Sequence, residues 1–96
     1  MRVWWTTQAR QDRRDLISYV ETEGLLIALE LDERISQAVS QLQDHPHSGR
    51  PGRATGTREL VIVRTPYIAV YVVSEDAVSV VRLIHGAQRW PPADLT

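Results

Sequence analysis

The chain contains no cysteine, no lysine and no phenylalanine, and its single methionine is the first residue. Without cysteine there is neither a disulfide nor a thiolate metal site, a composition that fits a reducing compartment. Without lysine, every one of the eleven basic residues is arginine. Arginine grips phosphate or carboxylate bidentately but does not serve as a proton-transferring base. No apolar run reaches the roughly 18 residues of a membrane span, and no basic leader precedes an apolar stretch, so the expected protein is soluble, cytoplasmic and without a membrane partner. Of three histidines, His45 and His47 merely flank Pro46, with no second cluster at ligand spacing; no metal and no cofactor are expected.

What is present is a chain of 96 residues with a net charge of -1. That length holds one domain, residues 1–96, with one core of modest stability. Its charge is uneven: residues 1–47 hold five arginines against eight acids, and residues 48–96 hold six against four. An anionic ligand is therefore better served by the second half. Three of the arginines fall in Ser48-Gly-Arg-Pro-Gly-Arg-Ala-Thr-Gly-Thr-Arg-Glu-Leu60, a glycine-rich stretch without phosphate-loop spacing, which reads as turns presenting Arg50, Arg53 and Arg58.

Hydrophobic period sets the elements. Arg2-Val-Trp-Trp-Thr6 reads as a short strand whose adjacent Trp4 and Trp5 point to opposite faces, both expected to be covered. Thr6 or Thr7 caps a helix running to about Glu23, with Ala9, Leu16, Ile17 and Val20 inward and Gly24 as its stop. Ala28, Leu31, Ile35, Ala38, Val39 and Leu42 recur at spacings of three and four, giving a second helix from Leu25 to about Gln43. Asp44 to Gly56 reads as loop. Period two then marks strands at Arg58–Val63, Tyr67–Val73 and Ala77–Ile84, joined by hairpin-length spacers. The fold class is α+β, in the order β-α-α-β-β-β, with a helical hairpin packed on one face of a small antiparallel meander. Trp90, in a proline-rich tail, is expected to fold back onto the domain.

Alternation puts Arg58, Leu60, Ile62 and Arg64 on one side of their strand and Val78, Val80, Arg82 and Ile84 on one side of theirs. If those sides coincide, Arg58 and Arg82 join Arg50 and Arg53 in a cationic patch suited to phosphate or carboxylate. The competing reading ties Arg58 to an acid such as Glu59 or Glu75 and makes Arg82 a satisfied structural arginine. His85 is either the proton carrier beside that patch or a hydrogen-bonded strand end. Tyr67 and Tyr71 share a face and either stack on a base or fill the core.

Pro46-x-x-Gly49-Arg50-x-Gly52, then Gly56-Thr-Arg-Glu-Leu-Val61, then Pro66-Tyr-Ile68 with Tyr71, then Val81-Arg-Leu-Ile-His85 with Arg89 resemble, taken together and in order, toxins of the RelE/ParE superfamily. The resemblance implies the toxin of a type II toxin-antitoxin module, neutralised by a cognate antitoxin whose disordered C-terminal region folds on it, in a heterotetramer or larger complex. It further implies a target. ParE-like members inhibit DNA gyrase, and the pattern Arg82-Leu-Ile-His85-Gly-Ala-Gln-Arg89 is closer to these. Arg50, Arg53, Arg58, Arg64, Tyr71, Arg89 and Trp90 are then the antitoxin- or target-binding candidates. RelE-like members cleave mRNA in the ribosome without metal; that site would draw on Arg58 and Arg82 for phosphate charge and His85 for proton transfer. A non-toxic, antitoxin-binding regulator of the operon is the remaining alternative.

Overall fold

The computed structural model describes residues 1–92; residues 93–96 of the expected unit lie outside the described residues. Strand β1 (Arg2–Trp5) leads to Thr6, whose backbone is extended and whose Oγ1 accepts the Ala9 N–H at 3.1 Å. This cap, available to Thr, Ser, Asp or Asn, starts helix α1 (Thr7–Glu21). Helix α2 (Leu25–Ser40) follows directly and is continued by a 3₁₀ turn at Gln41–Gln43. Next come strands β2 (Arg50–Pro51), β3 (Arg58–Val61), β4 (Tyr67–Val73) and β5 (Ala77–His85). No helix among the described residues is long and apolar enough to cross a membrane.

The sheet order is β1-β5-β4-β3-β2. Three consecutive strands, β3 to β5, form the antiparallel meander; β1 adds to β5 in parallel and β2 adds antiparallel to β3. The expected loop from Asp44 to Gly56 thus carries a short strand, since Arg50 and Pro51 pair with Glu59 and Arg58. Two residues of strand give no readable alternation.

The predicted helical stripes meet the sheet. Ala9, Val20, Ala28, Leu31, Ile35, Val39 and Leu42 are buried against Ile62, Ala69, Tyr71, Val78, Val80 and Leu83, with Leu16, Ile17, Ala38 and Trp5 packed around them. Each fully buried aliphatic side chain contributes roughly 1.5–3 kcal/mol. The opposite sheet face carries a smaller cluster of Ile68, Val70 and Ile84, with Val81 and Trp90 packed on it. Trp90 therefore folds back as expected.

Two expectations are corrected. Trp4 is not covered: it is 50% exposed, with the Arg2 guanidinium stacked 4.3 Å from its ring centre. Among the described residues, this edge strand pairs only with β5 and has no element above its outer face. In β5, the pairing with β4 slips at Val70/Tyr71, where Val70 faces Arg82 and Tyr71 faces Val80, leaving Val81 as a bulge. Val78 and Val80 belong to the helix-side core whereas Arg82 and Ile84 fall on the other face, so the four do not share a side.

Candidate functional site

The arginine-rich loop is closed at its base. Gly52 N–H donates to Thr57 O at 2.7 Å, Thr57 Oγ1 donates to Ala54 O at 2.6 Å, and Gly56 sits at φ 82°, a conformation that favours glycine. The closed loop aims Arg53 back at β3. Glu59, almost fully buried, receives three donors there: Arg50 Nη2 at 3.1 Å on Oε1, and the Arg53 backbone N–H at 2.8 Å and Nε at 3.2 Å on Oε2. Burial would push this carboxyl up, but the Arg53 N–H and the two guanidiniums outweigh it and hold it below 4.5. One carboxylate neutralises one of two guanidiniums, and both remain partly exposed. The corner keeps a positive excess.

Arg58 is adjacent but faces the other way. It pairs with Tyr71 in the row that continues to Val80 and Trp5, on the helix side, and its Nη1 donates to Gly49 O at 2.7 Å and His47 O at 3.4 Å. It takes carbonyls, not an acid. Tyr71, whose partner role had been expected, is wholly buried, and its hydroxyl accepts the Gly49 N–H at 2.9 Å. It ties the loop to the core and is out of reach of any partner.

On the face opposite the helices, Glu59, Val70 and Arg82 occupy one cross-strand row. Arg82 lies beyond the end of β1, where the β5 edge is open, and reaches round that edge to Asp12 of α1: Nε donates to Oδ2 at 2.8 Å. Asp12 Oδ2 also accepts the unpaired Leu83 N–H at 2.9 Å, standing in for a strand partner, while Gln8 Nε2 donates to Oδ1. Burial raises the Asp12 carboxyl, and the Arg82 and Leu83 bonds more than reverse that, leaving it below 3.8. Arg82 is thus the satisfied structural arginine of the two readings, with the Trp90 ring 5.3 Å away on its other side. Asp12→Ala should cost about 2 kcal/mol by orphaning Arg82 and the Leu83 N–H together, read as a lower midpoint in urea unfolding.

His85 ends β5 opposite Tyr67, at the end of β4 away from the Arg58–Tyr71 pair. It is exposed, its Nδ1 accepts the Ala87 N–H at 3.0 Å, and its ring meets Tyr67 edge-on. Arg58, Arg82 and His85 therefore occupy three separate places. Arg50, Arg53 and Trp90 share the outer face, Arg89 is exposed beside Trp90, and Arg64 is exposed in the β3–β4 turn at φ 64°. Arg64 borders a groove between α2 and β3, formed by two adjoining clefts of about 300 and 250 Å³ that share Arg34 and Arg64. Beyond Glu59, β3 has no strand neighbour on its outer side among the described residues, and Val61 at its end and Val63 just past it are exposed. Among the described residues no group of three or more His, Asp or Glu is placed to hold a metal.

Sequence reasoning passed over Glu59 and Asp12 as organisers. An acid inside an apolar strand, as in Arg58-Glu-Leu-Val61, was the available signal for the first; the second had none, its partner being 70 residues away.

Residues 3–90 match the family model of the ParE toxin of the type II toxin-antitoxin system parDE. The chain is 39% identical over 90 residues to Y4kP, a toxin candidate of Sinorhizobium fredii, covering 94% of this chain and 93% of that one. It is 35% identical over 86 residues to Toxin RelE2 of Caulobacter vibrioides, covering 90% and 96%. Among solved structures it is similar to a chain of the chromosomal ParDE toxin-antitoxin system from P. aeruginosa, with a TM-score of 0.79, 28% identity and coverage of 88% and 95%.

Proposed function

We propose that this chain, which belongs to the ParE family of type II toxin-antitoxin toxins, inhibits growth by binding DNA gyrase and is neutralised by a cognate antitoxin. The observation that carries the gyrase reading is the dispersal of Arg58, Arg82 and His85. A metal-independent cut in RNA needs a phosphate-binding cation and a proton carrier within hydrogen-bond reach of one substrate. Here one guanidinium caps loop carbonyls, one is held by Asp12, and the imidazole stands at the far end of β4. Binding does not need them to converge. The outer face, with Arg50 and Arg53 at one side and Arg89 and Trp90 at the other, is the target contact in this reading; Arg58, on the helix side, is not part of it.

The antitoxin is assigned to the groove between α2 and β3. An amphipathic segment can set apolar side chains on Ile27, Leu31, Val61 and Val63 and acids toward Arg64, which gives a marginal domain further stability on binding. The test is supercoiling by purified gyrase. Inhibition by the chain, relieved by its antitoxin, is expected, and Arg53→Ala with Arg89→Ala should weaken it about tenfold. Untouched supercoiling at large excess defeats the proposal. The 35% identity to a protein named Toxin RelE2 favours a second reading, cleavage of translated mRNA, which primer extension would reveal as cuts within codons.

A further inference from the structure

Arg50 and Arg53 are held in place by the chain itself. Arg50 sits in β2 directly across from Glu59, and Arg53 leaves a loop closed by the bond from Gly52 to Thr57. Beneath both lies the Glu59 carboxylate, almost wholly buried, with Arg50 Nη2 on one oxygen and Arg53 Nε on the other. Those bonds use one nitrogen from each fork. Both Nη groups of Arg53, and the Nε and Nη1 of Arg50, have no acceptor among the described residues, and both side chains are partly exposed. The buried acid therefore orients two guanidiniums and leaves their outer donors unused.

Among the described residues, Glu59 is the one acid paired with either arginine, so the corner keeps a single positive charge in excess. One carboxylate matches that excess and accepts an arginine fork through both oxygens. A phosphate backbone calls instead for a run of uncommitted cations. Arg82, in the same cross-strand row, is already held by Asp12, and the whole chain carries -1. The same face presents Val81 and Trp90, apolar and partly buried, which suits contact with a protein.

We propose that Arg50 and Arg53 clamp one acidic side chain of the protein target and that Glu59 is the positioning residue of this clamp, which rests on the outer face being the gyrase contact. A long side chain gives up rotamer freedom when it docks, and one already held by a buried partner gives up less. Attraction and positioning then predict opposite signs for one substitution. Glu59→Gln adds a positive charge to the corner, which by attraction alone strengthens binding to an acidic surface. Loss of the anchor weakens it.

The test measures the concentration of chain that halves supercoiling by purified gyrase, with a thermal melt showing that each variant is folded at the assay temperature. Glu59→Gln should weaken inhibition about fivefold and Arg53→Ala about tenfold, while the two together should weaken it little more than Arg53→Ala alone, since little is left to position. Arg53→Lys, at an exposed site that leaves the fold intact, keeps the charge without the fork and should weaken inhibition about threefold. Inhibition by Glu59→Gln equal to or stronger than that of the unsubstituted chain, full additivity in the double variant, or no loss in Arg53→Lys would overturn the clamp. So would retention of the chain on DNA alone through these arginines, which would make the occupant a phosphate. An unsubstituted chain that leaves supercoiling untouched removes the gyrase reading and the clamp with it, and that failure is recognised before any substitution is made.

Discussion

Glu59→Ala should lower stability by about 2–3 kcal/mol and the thermal midpoint by about 10 °C or more. Removing one partner of a buried ion pair generally costs more, but Arg50 and Arg53 are 57% and 40% exposed and recover water when released. The Arg53 N–H loses its acceptor as well, so loop residues 50–57 should show faster amide exchange than the sheet. Calorimetry with hydrogen exchange checks both. Unchanged loop protection would mean that the closing bonds between Gly52 and Thr57 suffice without the carboxylate.

The same residue sets part of the acid response. Glu59 and Asp12 are both held below their ordinary values of 4.5 and 3.8. A depressed folded carboxyl binds fewer protons than its unfolded counterpart, so stability rises with pH through that window. The contribution of Glu59 is complete above about pH 4.5 and is lost as pH falls through its lowered folded value. Glu59→Gln should flatten the upper part of the acid limb and leave the Asp12 part, below 3.8, in place.

Gly49→Ala should be at least as damaging, about 3 kcal/mol. An added Cβ would lie 2.7 Å from Tyr71 Oη, 2.8 Å from Glu59 O and 2.8 Å from Tyr71 Cε1. Neither neighbour can yield: the carbonyl belongs to β3, and the ring is completely buried in the core. Tyr71→Phe is the informative companion. It keeps the ring and removes only the acceptor of the Gly49 N–H, for about 1–2 kcal/mol. If the two variants cost the same, the hydrogen bond and not the close approach governs this corner.

Much of the architecture was legible because it follows from period. Thr6 is the cap, the inward stripes of both helices meet the core, and β4 begins at Tyr67 and ends at Val73 as the alternation indicates. The membership of a toxin family was equally visible in the ordered motifs. What escaped depends on backbone irregularity and long-range pairing. β2 exists only because β3 offers it an edge, Trp4 is half exposed because no element among the described residues covers its side, and Arg82 meets an acid from a helix distant in sequence. Alternation counts residues and assumes that every one advances the pleat equally.

Val81 is where that assumption fails, and it gives β5 two phases. Residues before it obey one parity and residues after it the other, so odd and even positions exchange inside and outside within a single strand. In any relative, losing or gaining one residue at this point would turn the guanidinium that now anchors the first helix into the apolar interior and send Leu83 out to water. Length at position 81 is thus a stricter constraint than side-chain identity there, and a sequence comparison that slides a gap across it would misassign both faces of the sheet.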